Sequence, residues 1–140
     1  MATPTPLREP TFLILTALAR ESMHGYGVIS DVAALSGGRL ALRPGTLYGA
    51  LDRLTDEGLV ERDREEVVEG RLRRYYRLTE AGRSVLVAET ERLRRNVEAA
   101  TQRLRARPAG ILAVDPASRG RLTLPGPTAH PTLRPTGGLA

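Results

Sequence analysis

The chain has no cysteine and no tryptophan. Without cysteine there is no disulfide framework, no thiolate nucleophile and no Cys-ligated zinc. Lysine is absent as well, and all 21 basic residues are arginine. Arginine is the planar, bidentate donor for phosphate and guanine, although codon composition accounts for all-arginine usage equally well. Only two histidines occur, His24 and His130, too far apart in sequence to carry a metal site. No metal and no cofactor is expected. Aromatic residues are scarce, one Phe and four Tyr, with none after Tyr76. Long apolar runs are missing too. The best is Thr11–Ala19, TFLILTALA, bounded by Arg8, Glu9 and Arg20, far short of the roughly 20 residues of a membrane span. It lacks the small-residue cleavage site of a secretory leader. It reads as a buried helix of a soluble, cytoplasmic protein with no membrane partner.

What is present fits one small domain with extensions. The 140 residues are too few for a large barrel enzyme or a two-domain dehydrogenase. The net charge of +5 admits a nucleic-acid partner without demanding one. Composition shifts near Pro108. Residues 108–140 hold six of the ten prolines and five of the fourteen glycines, which predicts a disordered tail. Residues 1–9, with Pro4 and Pro6, read as a flexible arm.

Between them the pattern predicts a mainly α fold with a small β-hairpin. Pro10 suits the first turn of a helix. Phe12, Leu13, Ile14, Leu15 and Leu18 make that helix apolar nearly all round, as a central core helix would be. A second helix is expected from Ser22, a good N-cap, with Tyr26, Ile29, Val32 and Ala33 at helical spacing. Gly37-Gly38 ends it. Arg39–Leu42 is long enough only for a stub of strand. Pro44 opens a third helix carrying Leu47, Leu51 and Leu54, and Gly58 stops it. Val60–Val67 and Leu72–Leu78 read as strands around a turn at Gly70. Thr79 caps a long helix with Glu80 in its first turn, running to about Arg107. This order matches a winged helix-turn-helix domain over residues 10–78, followed by a dimerisation helix over residues 79–107.

Two motifs carry the chemistry. In RPGTLYGALDRLTDEGLVER, Arg43–Arg62, the leucines share one face of the helix. Thr46, Gly49, Arg53 and part of Tyr48 share the other. Gly45 and Gly49 remove side chains near the helix start, where free amides and the helix dipole suit a phosphate. That composition fits a recognition helix, or an ordinary amphipathic helix with a solvated face. In GRLRRYYRLTEAGR, Gly70–Arg83, alternation puts Leu72, Arg74, Tyr76 and Leu78 on one side and Arg71, Arg73, Tyr75 and Arg77 on the other. Arg71, Arg73 and Arg74 at the hairpin turn suit a wing touching phosphates or a narrow minor groove. They suit a charge-blunted edge strand as well. The opposing strand carries Glu61, Asp63, Glu65, Glu66 and Glu69, so some arginines are expected to pair within the hairpin. Residues 1–107 net only +3, from 18 arginines and 15 carboxylates.

Together HGYGV at His24–Val28, PGTLYGALDRLTDEGLV at Pro44–Val60 and RRYYRLTEAGR at Arg73–Arg83 resemble the PadR family of bacterial transcriptional regulators, over roughly residues 10–95. The resemblance implies a winged-helix, homodimeric, DNA-binding repressor. Thr46, Tyr48, Arg73 and Arg74 would then be DNA contacts, and Leu51, Leu54, Leu59 and Tyr76 core. Arg43 departs from the pattern, because the family commonly has a small polar cap there. The weaker cap costs about 1 kcal/mol, unless Arg43 serves phosphate binding instead. The family also implies small aromatic or drug-like effectors for some members. The lack of Trp, and of any aromatic residue on the long helix, argues against a stacking pocket for one here.

The long helix carries a heptad pattern, with Leu86, Leu93 and Ala100 at d and Thr90, Val97 and Leu104 at a. Val85 and Leu86 suffice to pack it on its own domain. Beyond Leu93 no intrachain partner is evident, so a homodimer is expected. His24, in a glycine-rich turn, reads as structural, and His130 has no role. Asp52, Asp56 and Glu57 read as solvated carboxylates. An enzyme has no supporting constellation. The full expectation is a homodimeric regulator that occludes a promoter at a pseudo-palindromic double-stranded operator and is released by a small-molecule effector. The rival is a winged-helix protein–protein adaptor that never binds duplex.

Overall fold

The computed structural model describes residues 5–106. The tail over residues 108–140 and His130 lie outside them. Seven elements follow in chain order: α1 Glu9–Arg20, β1 Met23–His24, α2 Gly25–Leu35, α3 Pro44–Asp56, β2 Val60–Val68, β3 Arg71–Leu78 and α4 Glu80–Arg105. The strands form one antiparallel sheet in the order β1-β3-β2. This is a winged helix. Internal packing divides the chain after Gln102. Residues 103–106 of the second unit comprise only the end of α4 and one following residue.

The core forms where the apolar faces of the first unit meet. Ile14, Leu15, Ala17 and Leu18 of α1 pack with Val28 and Val32 of α2 and Leu47, Leu51 and Leu54 of α3. Val60, Tyr76 and Leu86 close it from the sheet and α4. Burial of each α3 leucine contributes about 2 kcal/mol. Gly37 and Gly38 end α2 in the left-handed region, φ 63 and 83, where a side chain would be strained.

Two expectations are corrected here. Ser22 does not cap α2. Its hydroxyl donates to Asp63 (2.6 Å) and lies 3.2 Å from the Tyr76 carbonyl, because Met23 and His24 pair with Tyr76 and Tyr75 as a third strand. His24 is then the N-cap residue, without a side-chain cap bond. Arg39–Leu42 is no strand. The Leu40 amide donates to Ser36 Oγ at 3.0 Å, and Leu40 and Leu42 rest half-buried against the core.

The wing turn has two residues, Glu69 (φ 52) and Gly70 (φ 76). Both positive φ values match the twist of a tight hairpin. A bulge sets Asp63 and Arg64 against the single Tyr75. At the other end of β3, Thr79 Oγ1 accepts from the Gly82 amide at 2.9 Å and caps α4. Gly82 lies so close to the Leu59 carbonyl that a Cβ there would stand 2.0 Å from its oxygen. The glycine of LTEAG is therefore a close-approach point that fastens α4 to the turn after α3. The expected arm is held near its end. Glu9 already belongs to α1, and the Leu7 amide donates to Glu89 at 2.9 Å.

Candidate nucleic-acid interface

Helix α3 has one buried and one open side. Leu47, Leu51 and Leu54 are buried, while Thr46, Gly49 and Arg53 are exposed. Arg43 is the N-cap residue and makes no side-chain cap bond, with Pro44 at N1. Leu47 donates to the Arg43 carbonyl at 2.9 Å, so the amides of Gly45 and Thr46 lie ahead of the helical ladder. Nothing lies within 4 Å of where a Cβ would stand on Gly45 or Gly49, and that surface accepts a close backbone. Arg53 leans toward α1, its Nη2 3.5 Å from Thr11 Oγ1.

The wing stands beside this helix. Tyr48, Leu72, Arg71, Arg73 and Arg74 line a groove of about 450 Å³ together with His24, Gly25 and Tyr26. Tyr48 is 37% exposed. Its hydroxyl rests over Gly25, where a Cβ would come within 2.5 Å of it. Burial, then the neighbouring phenols of Tyr76 and Tyr26, push the Tyr48 phenol up. It therefore stays a neutral hydroxyl donor through the physiological range.

The wing arginines are of two kinds. Arg74 sits 3.4 Å from Glu65 across the hairpin. Among the described residues, Arg71 and Arg73 have no carboxylate within 4 Å. Farther along, Arg77 binds Glu61 (2.6 Å) and Asp63 (3.5 Å). Arg64 binds Glu66 (2.8 Å) and covers the Tyr75 ring at 4.0 Å. Part of the wing's positive charge is thus met inside the hairpin.

Sequence reasoning placed Tyr26 among the helix-spaced residues of α2. The structure leaves it 64% exposed in the groove, because Val28 and Val32 carry the buried face. It also missed Gly25 as the seat of Tyr48. The glycine pair in HGYG was the available signal. The His24 ring packs on Tyr75, tilted, 5.5 Å between centroids. Asp52, Asp56 and Glu57 are exposed. Among the described residues no acidic, His or Cys cluster has the arrangement of a metal site. No described helix is long and apolar enough to cross a membrane.

On α4 the heptad residues separate. Leu86 is buried in the chain's own core, at 9% exposure, so it is not free for a seam. Glu89 beside it is buried as well. The Leu7 amide, then Arg92, hold its carboxyl below the usual range against the opposing effect of burial. Thr90 and Ala100 are exposed and Leu93 half-buried. Val97 is 66% exposed. In the second unit Leu104 is 85% exposed.

Known proteins carry the same pattern. The sequence profile of the Transcriptional regulator PadR-like family matches residues 14–88. A transcriptional regulator of Mycobacterium tuberculosis is 39% identical over 80 residues, 57% of this chain and 71% of that protein. A 37.1 kDa transposon protein of Streptomyces fradiae is 45% identical over 87 residues, 62% of this chain. The aligned part spans only 24% of that protein's length. Among solved structures, a PadR family regulator of Clostridium difficile superposes with a TM-score of 0.59 at 24% identity, covering 69% of this chain and 99% of that one. Bacillus subtilis PadR in complex with operator DNA gives 0.52 at 26% identity, covering 58% of this chain and 46% of that one. The chain belongs to the PadR-like family of transcriptional regulators, not to a family of enzymes.

Proposed function

We propose that this regulator binds an operator duplex as a homodimer and represses by occluding a promoter. The groove shared by Tyr48 and the wing arginines carries this reading. It sets hydroxyl donors and arginine guanidiniums beside a helix whose outer face is small at its start. Helix α3 would enter the major groove with Thr46, Gly49 and Arg53 toward the bases. The amides of Gly45 and Thr46, with Arg43, would meet a phosphate. Arg71, Arg73 and Arg74 would hold the flanking backbone, and Tyr26 would join Tyr48 on the groove wall. The operator-bound relative supports the DNA partner. Leu93, Val97, Ala100 and Leu104, with Thr90, would form the seam, for which the exposure of Val97 and Leu104 is the support. Release would follow an effector that changes the spacing of the two recognition helices.

Changing Arg73 and Arg74 to Ala tests the wing. Affinity for all duplexes should fall alike, and the salt slope should shrink by about one to two units. Thr46→Ala should weaken operator binding while leaving the thermal melt nearly unchanged. A protein that dimerises and binds no duplex at any salt would favour the adaptor.

A further inference from the structure

Resting on that reading, we infer that Glu65 limits the regulator's hold on DNA by competing with phosphate for Arg74. Arg74 and Glu65 are register partners on β3 and β2, so both side chains leave the same face of the wing. The guanidinium nitrogen lies 3.4 Å from the carboxylate oxygen, with both side chains about half exposed. That face carries Arg74 and Leu72 beside Tyr48 in a second hollow, of about 350 Å³. A phosphate that approaches Arg74 there meets the Glu65 carboxylate as well. An ion pair this exposed does little for the fold. What it does is occupy the guanidinium that a phosphate would engage, so the backbone must displace Glu65 to reach Arg74. The neighbouring Glu66 differs. Its register partner is Arg73, but its carboxylate binds Arg64 at 2.8 Å, and Arg64 lies over Tyr75. Glu66 therefore shares the opposite face with Arg73, which it feels only at longer range, while Arg64 takes its carboxylate.

The contrast supplies its own control, since Glu65→Gln and Glu66→Gln remove one charge each from adjacent positions. Fluorescence anisotropy with a mixed-sequence duplex, across a salt series, reads the effect. Glu65→Gln should tighten binding about fivefold near 0.15 M salt and steepen the salt slope by about 0.9, one phosphate contact. Glu66→Gln should change affinity less than about half as much. In an Arg74→Ala background, Glu65→Gln should give no gain, because the effect runs through that arginine. Equal gains from the two glutamines would reduce the effect to net charge and overturn the inference. So would unchanged or weakened binding by Glu65→Gln, or a gain that survives Arg74→Ala. If the unaltered protein bound no duplex, the proposed function and this inference would fall together. If it binds and only the Glu65 result is contrary, the inference falls alone.

Discussion

Helices α3 and α4 are both amphipathic, yet among the described residues only α3 finds full cover within the chain. Every leucine of α3 is buried within its own domain. On α4 the buried residues are Gly82, Leu86 and Glu89, all in its first half, while Val97 lies open to solvent. The difference shows how an apolar stripe should be read. It marks a core where other elements of the chain reach it, as α1, α2 and the sheet reach α3. It marks an unpartnered face where they stop, as they do along α4.

The firmest attachment of α4 should break most severely. Gly82→Ala drives a Cβ into the Leu59 carbonyl, which is backbone and has no rotamer to yield. Overpacking usually costs 1–3 kcal/mol, and this contact should exceed about 3 kcal/mol in urea unfolding. A loss under 1 kcal/mol would mean α4 does not press on that turn. The open stretch should behave oppositely. Leu93→Glu combined with Val97→Glu should change the monomer's melt little. It should convert a dimer to a monomer in sedimentation and weaken operator binding about a hundredfold, as expected for losing a second linked half-site. A variant that still sediments as a dimer would move the seam off α4, and not to Leu15 of α1, which the chain's own core buries.

Much of the first helix of this pair was legible in the sequence, because its signals are local. Pro44 opens α3, the leucine spacing aims it, and Gly58 (φ 75) turns the chain out. The wing turn, the Thr79 cap and the closing glycines of α2 are of the same kind. The misreadings concern residues whose role is set by a distant partner. Met23 and His24 are too few to show a period, and only β3 makes them a strand. Ser22 has the chemistry of a cap, but Asp63 lies 41 positions away and takes its hydroxyl. Tyr26 sits at helical spacing, and its exposure follows from which α2 face Val28 and Val32 bury. The pairing of Arg74 with Glu65 follows by counting outward from the turn at Glu69 and Gly70, but the bulge at Asp63 and Arg64 shifts the pairs beyond it, Arg62 with Tyr76 and Glu61 with Arg77. That shift has no sequence signature.

The smallest expected effect sharpens where the closed half of α4 ends. Glu89 is held in its charged form by the Leu7 amide and Arg92. Its folded-state pKa is depressed, so its contribution is present above the ordinary glutamate value and is lost as pH falls through the depressed one. Glu89→Gln should therefore flatten the loss of stability on acidification, and it should loosen residues 5–8 in hydrogen exchange. An acid profile identical to that of the unaltered chain would show that the Leu7 contact adds nothing.

The central claim is that two copies of α3 and its wing read one duplex. Selection of a random-sequence duplex library by the purified protein tests it most directly. Two copies related by a twofold axis should enrich inverted half-sites, their centres about 10 base pairs or a multiple of that apart. Enrichment of a single unrepeated half-site would contradict the dimeric reading, and no enrichment at any salt would contradict DNA recognition itself.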